Sequence, residues 1–367
     1  MEMKKISILV LALAAAGALA CSGNNVKYDI KGAAPQDGGF VRLVDAISSE
    51  VLDSAVVADG AFQLKGKAPK EAFLNLTADG ATWIFPLIND GEAVEVDFAE
   101  HSVDGSDLNE KISECDIKTD ALMAGYNAFI NELMALPEEE QQAKMPEYEE
   151  WFNKLGESFL GVVEENMDNL VPVPFIRNVR SLCGPDKFDE LLASGAPFTK
   201  HPYVVDLKRK IDESTARQKE VEEKKQAIVG QKFLDLEEAD PDGNVHKLSE
   251  YVGQGKWVLV DFWASWCGPC KNEMPNVVNA YKKYHDKGFE VVGLSFDREK
   301  EPWVEAITDW EMPWIHLSDL KYWQTVASEV YNVNSIPDNL LIDPEGTVVA
   351  RCLRGEALEA KLAEIFE

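Results

Sequence analysis

Residues 256–271 read KWVLVDFWASWCGPCK. The run from Trp257 to Phe262 is almost wholly apolar, as in a strand buried on both faces of a sheet. Asp261 interrupts it, and an acid inside such a run is costly to bury without a reason. Cys267 and Cys270 follow at the spacing of a redox dithiol or of half a zinc site. Structural zinc wants four ligands, usually from a second close cysteine pair or a histidine pair. No second close pair exists in the chain, and His285 falls at the far end of the helix that follows. A strand feeding the loop and a helix leaving it favour redox chemistry, with no metal. At a helix N-terminus, unpaired N–H groups and the helix dipole stabilise an anion. Cys267 is therefore expected as the nucleophilic thiolate, and Cys270, one turn on, as the more buried resolving thiol.

Around this stretch, residues 230–367 alternate between strand and helix signals. FLDLE and VHKLSEY flank a Pro-Asp-Gly-Asn turn. NEMPNVVNAYKKYHDKG reads as a helix stopped by Gly288, and FEVVGLSFD as a second buried strand. PWVEAITDW and YWQTVASEVY look helical, NLLIDPEGTVVARCL looks like two strands joined by a turn, and LEAKLAEIF closes as a helix. Strand, helix, strand, then an antiparallel hairpin and a helix is a thioredoxin-like order.

The first two thirds look different. From 25 to 105, FVRLV, AFQLKGK, FLNLT, WIFPLI and AVEVDF are separated by Asp-Gly turns, which predicts an all-β sandwich or barrel. Asp53 and His101 read there as turn or surface residues. From 107 to 228 apolar residues recur at helical spacing, with breaks at Pro137, Pro172 and Pro174. The last helix, PYVVDLKRKIDESTARQKEVEEKKQ, has alternating charge and reads as an exposed helix and linker.

The chain has 367 residues and a net charge of −29, which argues for several domains and against nucleic acid as a partner. The opening MEMKKISILVLALAAAGALA, residues 1–20, has the layout of an export signal. Its apolar run is short for a membrane span. Ala18-Leu19-Ala20-Cys21 resembles a bacterial lipobox, so Cys21 is the expected lipidation site of a membrane-anchored lipoprotein in the cell envelope, on the periplasmic side. Export makes cysteine pairing relevant. Cys115, Cys183 and Cys352 cannot all pair within the chain and are expected to be mostly buried free thiols, with a Cys115–Cys183 bridge left open.

VLVDFWASWCGPCK resembles the active-site strand and loop of the thioredoxin superfamily, and SIPDNLLID resembles its cis-proline loop, at Pro337. The ASWCGPC-x-x-E-x-P form, with Glu273 and Pro275, is similar to the TlpA/ResA branch of membrane-tethered, exported thiol:disulfide oxidoreductases. So are the extra helix and strand ahead of the cis-proline loop. The resemblance covers about 230–367. The preceding β domain and helical region look like the N-terminal extension often fused to this branch.

The resemblance implies that Asp261 accepts the Cys270 proton and that Glu273 tunes thiol acidity. Pro275 would kink the active-site helix. It implies that Ile336 and Pro337 pair with an extended substrate, that Trp266 shapes the rim and that Gly355 lies in a third groove loop, while Trp263 is core. Asp338 and Asn339 depart from the Thr and apolar residue usual after the cis-proline, which bears on substrate preference. The implied protein needs no cofactor. It reduces protein disulfides, apocytochromes in cytochrome c maturation among the candidates, and is recharged by a membrane thiol-transfer reductant. Three alternatives stand beside it: an oxidase or isomerase, a scaffold with an accessory redox domain, and a thiol peroxidase. A peroxidatic cysteine wants Thr or Ser three residues before it and a proline upstream, where this chain has Ala264 and Leu259.

Overall fold

The computed structural model describes residues 24–367, so the expected export signal and Cys21 lie outside the described residues. The chain forms two compact units that divide between Asp212 and Glu213.

The first unit opens with eight strands: β1 (Asn25–Ala33), β2 (Phe40–Asp45), β3 (Val51–Val56), β4 (Ala61–Pro69), β5 (Phe73–Ala78), β6 (Phe85–Ile88), β7 (Ala93–Asp97) and β8 (Ser102–Asp104). They form two four-stranded sheets, ordered β4-β1-β7-β8 and β3-β2-β5-β6. Alternation turns one side of each strand inward: Val41 and Leu43 of β2, Ile30 of β1 and Val94 and Val96 of β7 are buried in one shared core.

Helices α1 (Asp107–Met134), α2 (Glu138–Ala143), α3 (Met145–Glu164) and α4 (Ile176–Ala193) follow, then α5 (Pro202–Gln226). Ser106 caps α1 by accepting the Asn109 N–H. Apolar stripes of α1, α3 and α4, with Ile112, Phe159, Val163 and Val179, make a second core that also takes in Phe73 and Ile88 of β5 and β6. The β and helical regions thus share a hydrophobic interior within one unit. Gly184, at φ 88°, breaks α4 ahead of Pro185.

The second unit begins within α5. It contains β9 (Glu237–Ala239), β10 (Val245–Lys247), β11 (Trp257–Trp263), α6 (Gly268–Tyr284), β12 (Phe289–Ser295), α7 (Lys300–Asp309), β13 (Ile315–Leu317), α8 (Val326–Tyr331), β14 (Asp338–Ile342), β15 (Val348–Arg351) and α9 (Glu356–Phe366). The five-stranded sheet is ordered β13-β12-β11-β14-β15. β11, β12 and β13 run parallel, while β14 runs antiparallel to β11 and β15 antiparallel to β14. This is the thioredoxin-like α/β arrangement. β11 lies at its centre, with Val258 to Trp263 all buried. Gly293 of β12 must be glycine, because a Cβ there would stand 2.7 Å from His316 Nδ1 and 2.9 Å from Trp263 Nε1. Among the described residues, no helix is long and apolar enough to cross a membrane.

Candidate active site

β11 delivers the chain to the top of the sheet, where residues 264–267 turn into α6. Cys267 is the N-cap of that helix, with φ −89° and ψ 98°, and its Sγ accepts the Cys270 N–H at 3.1 Å. Gly268 and Pro269 occupy the first turn, where the proline's missing N–H costs nothing. Cys267 and Cys270 are joined as a disulfide. Both are buried, at 4% and 1% exposure, so the difference in burial expected between them is small. On reduction, Cys267 is the sulfur at the helix terminus, where backbone N–H groups favour a thiolate.

The turn ahead of Cys267 is held by a carboxylate that the sequence did not single out. Asp297, 2% exposed, accepts the Ser265 N–H at 3.1 Å, the Ser265 hydroxyl at 2.6 Å and the Ser295 hydroxyl at 2.7 Å. Trp266 stands beside it, 46% exposed, and donates its indole N–H to Phe296 O at 3.3 Å. Tyr322 lies 5.0 Å from the Trp266 ring, and the Arg298 guanidinium sits 4.0 Å over the Tyr322 ring. Trp266, Arg298, Pro302 and Tyr322 wall an open cleft of about 430 Å³ next to the cysteines.

Asp261 is 3% exposed and pairs in the sheet with Gly293 and Asn339. Burial above all, then the negative charges of Glu273 and Asp338, push its carboxyl up to about 7, and Arg354 opposes the shift. Glu273 does not face open solvent. Its carboxylate accepts the Gly355 N–H at 2.8 Å and the Asn276 amide at 3.1 Å, so the active-site helix is tied to the loop before α9.

The Ile336–Pro337 peptide is cis. Pro337 is buried and Ile336 partly so. Arg354 donates a hydrogen bond to Pro337 O. The two unusual residues after the proline point into the protein. Asp338 is fully buried and receives Arg351 in a fork: Nε at 3.2 Å from both carboxylate oxygens and Nη2 at 2.7 Å from Oδ2. Lys225 Nζ stands 3.7 Å from the same carboxylate and donates to Ser335 Oγ at 3.1 Å, while Arg351 Nη1 donates to Lys225 O at 2.9 Å. Asn339 bridges the loop above, donating to Leu353 O at 2.7 Å and accepting Leu353 N–H at 2.9 Å. Departures that looked relevant to substrate choice are thus internal anchors of the cis-proline loop. Cys352 donates to Asp338 Oδ1 at 3.0 Å, and burial followed by that carboxylate pushes its thiol up to about 11. It stays a protonated, unreactive thiol at neutral pH. Cys115 and Cys183 are free as well, and burial raises both.

The structure therefore brings Asp261, Trp266, Cys267, Cys270, Glu273, Ile336, Pro337 and Gly355 into one unit, with Glu273 and Gly355 in direct contact. His101 occupies a turn, one of the two places expected for it, and is buried there at 7% exposure. Asp53 is hydrogen-bonded by the Tyr28 hydroxyl at 3.0 Å.

The model of the AhpC/TSA family matches residues 229–351, and that of a domain of unknown function, DUF4369, matches residues 26–112. The thiol-disulfide oxidoreductase ResA of Oceanobacillus iheyensis is 30% identical over 146 residues, covering 36% of this chain and 74% of the relative. ResA of Geobacillus kaustophilus is 31% identical over 126 residues, 34% of this chain and 70% of the relative. Among solved structures, the thioredoxin domain of a thiol-disulfide oxidoreductase from Bacteroides vulgatus is 33% identical, spans 38% of this chain and 98% of its own, and has a TM-score of 0.36.

Proposed function

This chain belongs to the ResA family of thiol-disulfide oxidoreductases, and from that premise we propose that it is an exported, membrane-anchored reductase of protein disulfides. The observation that carries the reading is Cys267 at the N-cap of α6, with Cys270 one turn on and the buried Asp261 on the strand that feeds them.

The cycle starts from the dithiol. Cys267, as thiolate, attacks one sulfur of a substrate disulfide; that S–S bond breaks and the other substrate sulfur leaves as a thiolate. Cys270 gives its proton to Asp261, directly or through a water, and attacks Cys267 Sγ. The mixed disulfide breaks, the second substrate sulfur leaves, and the 267–270 disulfide forms. Two electrons have passed to the substrate, so a membrane dithiol donor must restore the pair. Asp261, titrating near neutrality, suits a base needed for one step only. Glu273, bound to Gly355, holds the helix against the substrate groove and sets the local negative charge. Ile336 and Pro337 offer backbone to an extended substrate segment, as in strand addition. Trp266 gives that segment an apolar rim.

Export and lipidation of Cys21 are supported by the residue pattern of 1–21, and periplasmic protein disulfides, apocytochromes among them, are the substrate class. Globomycin sensitivity and palmitate labelling test the anchor; an unlabelled soluble protein overturns it. For the chemistry, the reduced protein accelerates insulin precipitation by dithiothreitol and Cys267→Ser abolishes this; activity like the parent's in that variant refutes the cycle. Redox titration of the pair should give a potential nearer that of thioredoxin (about −270 mV) than that of a strong oxidant such as DsbA (about −120 mV).

A further inference from the structure

The first unit contains a cluster that disulfide chemistry does not use. Asp116 and Asp120 are four residues apart on α1, so their side chains share one face of the helix. His101, from the turn between β7 and β8, is held against that face. Its ring stacks on Trp83 at 4.2 Å with planes 12° apart, and meets the edge of Phe85 at 5.2 Å. One ligand atom from each of His101, Asp116 and Asp120 lies within 4.8 Å of the others. We propose that these three residues bind a divalent transition-metal cation of the zinc class.

Charge balance is the first support. Two carboxylates at i and i+4 repel one another. Among the described residues, neither has a lysine or arginine partner; the one ion pair is His101 Nε2 to Asp116 Oδ2. Asp120 accepts no hydrogen bond among the described residues, although it is half-buried. A cation would supply the charge that the helix face lacks.

Distance is the second support. Donors on one tetrahedral ion, each bonded at about 2.0–2.2 Å, stand about 3.3–3.6 Å apart. The 3.3 Å between His101 Nε2 and Asp116 Oδ2 lies in that range and is longer than the usual N–H···O bond. Asp120 offers a carboxylate oxygen within 4.8 Å of the other two donors.

The third support is what the cluster faces. Asp116 and Asp120 line a cavity of about 200 Å³ that also carries Asn75, Thr119 and Asn178. With two of the three ligands opening on this cavity, there is room for water or a small anion as fourth ligand, as zinc accepts outside closed structural sites. One imidazole and two carboxylates form a nitrogen and oxygen donor set suited to zinc, with manganese and iron(II) as competitors.

The test uses the whole chain with the 267–270 disulfide formed. Calorimetric titration with Zn²⁺ should give one ion per chain. Titration with Co²⁺ should give weak visible bands without the strong near-ultraviolet charge transfer of a thiolate ligand, so that Cys115, Cys183 and Cys352 are not the binders. Asp120→Asn has no hydrogen bond to lose and should keep the melting temperature of the metal-free protein while weakening Zn²⁺ about tenfold or more. Asp116→Asn should weaken it as much. Absence of binding to the parent chain overturns the proposal, and so does binding unchanged in both variants, which would leave His101 and Asp116 as a hydrogen-bonded pair that ties the turn to the helix.

Discussion

Replacing Asp261 by Asn should yield a protein that is more stable and a worse catalyst. The carboxyl is 3% exposed, and its pKa rises from 3.8 to about 7. In the unfolded chain the same group ionises near 3.9. Between those values the folded state keeps a proton that the unfolded state has released, so unfolding free energy falls as pH rises, by about 1.4 kcal/mol per pH unit. The stabilisation is whole below about pH 4 and gone above about pH 7. Over that interval the loss comes to about 4 kcal/mol.

Asn has nearly the same shape and no such titration. The variant should therefore match the parent near pH 4 and exceed it by about 4 kcal/mol at pH 8. Comparing the two proteins at each pH cancels the titrating groups that do not interact with Asp261. Hydrogen exchange of β11 and β14 peptides, with the disulfide formed, reads the opening of this unit directly. In single-turnover reduction of a protein disulfide, the variant should accumulate the mixed disulfide, with resolution slowed about a hundredfold or more. A stability difference that does not change with pH would refute the titration argument, and unslowed resolution would refute the proton-acceptor role.

His316 behaves in the opposite sense: burial lowers its pKa to about 4 from 6.5, so it supplies stability present above 6.5 and lost as pH falls towards 4, and His316→Gln should flatten that acid limb in the same exchange experiment. Arg351→Met leaves the buried Asp338 without its fork and should cost about 3–5 kcal/mol, whereas Asp338→Leu with Arg351→Met should recover most of it in a double-mutant cycle. Gly293→Ala forces a methyl against His316 and Trp263 and should destabilise the unit by about 1–3 kcal/mol, seen as a lower denaturation midpoint. Trp266→Ala should lower kcat/KM on a protein disulfide about tenfold while sparing a small disulfide such as oxidised dithiothreitol, because an exposed rim contacts only large substrates.

Local signals made the redox end of the molecule readable. An apolar run, a cysteine pair and a Gly-Pro entry sit next to one another in sequence, and strand, cap and helix follow from neighbours. Proline breaks placed the long helices for the same reason. What could not be read depends on contacts distant in sequence. Lys225 meets Ser335 across 110 positions, and Arg351 reaches Asp338 across 13. Ser265 finds Asp297 across 32. Polar residues of this kind read as surface until the fold closes over them. His101 shows the same effect: a polar residue in a turn, it is buried because Trp83 and Phe85 close around its ring. β13, the extra strand expected ahead of the cis-proline loop, is only three residues long, so the resemblance and not its own pattern announces it.

The fork on Asp338 also bears on where this protein can be cut. Family similarity at the redox end begins at residue 229, which invites a fragment starting there for crystallisation or fusion. Such a fragment lacks Lys225, and with it the carbonyl that receives Arg351 Nη1 and the ammonium that reaches Ser335 and Asp338. The cis-proline loop would keep its sequence and lose part of its foundation, so assays on that fragment would report a looser groove than the parent chain possesses. A cut at Glu213, where the compact unit begins, retains both contacts.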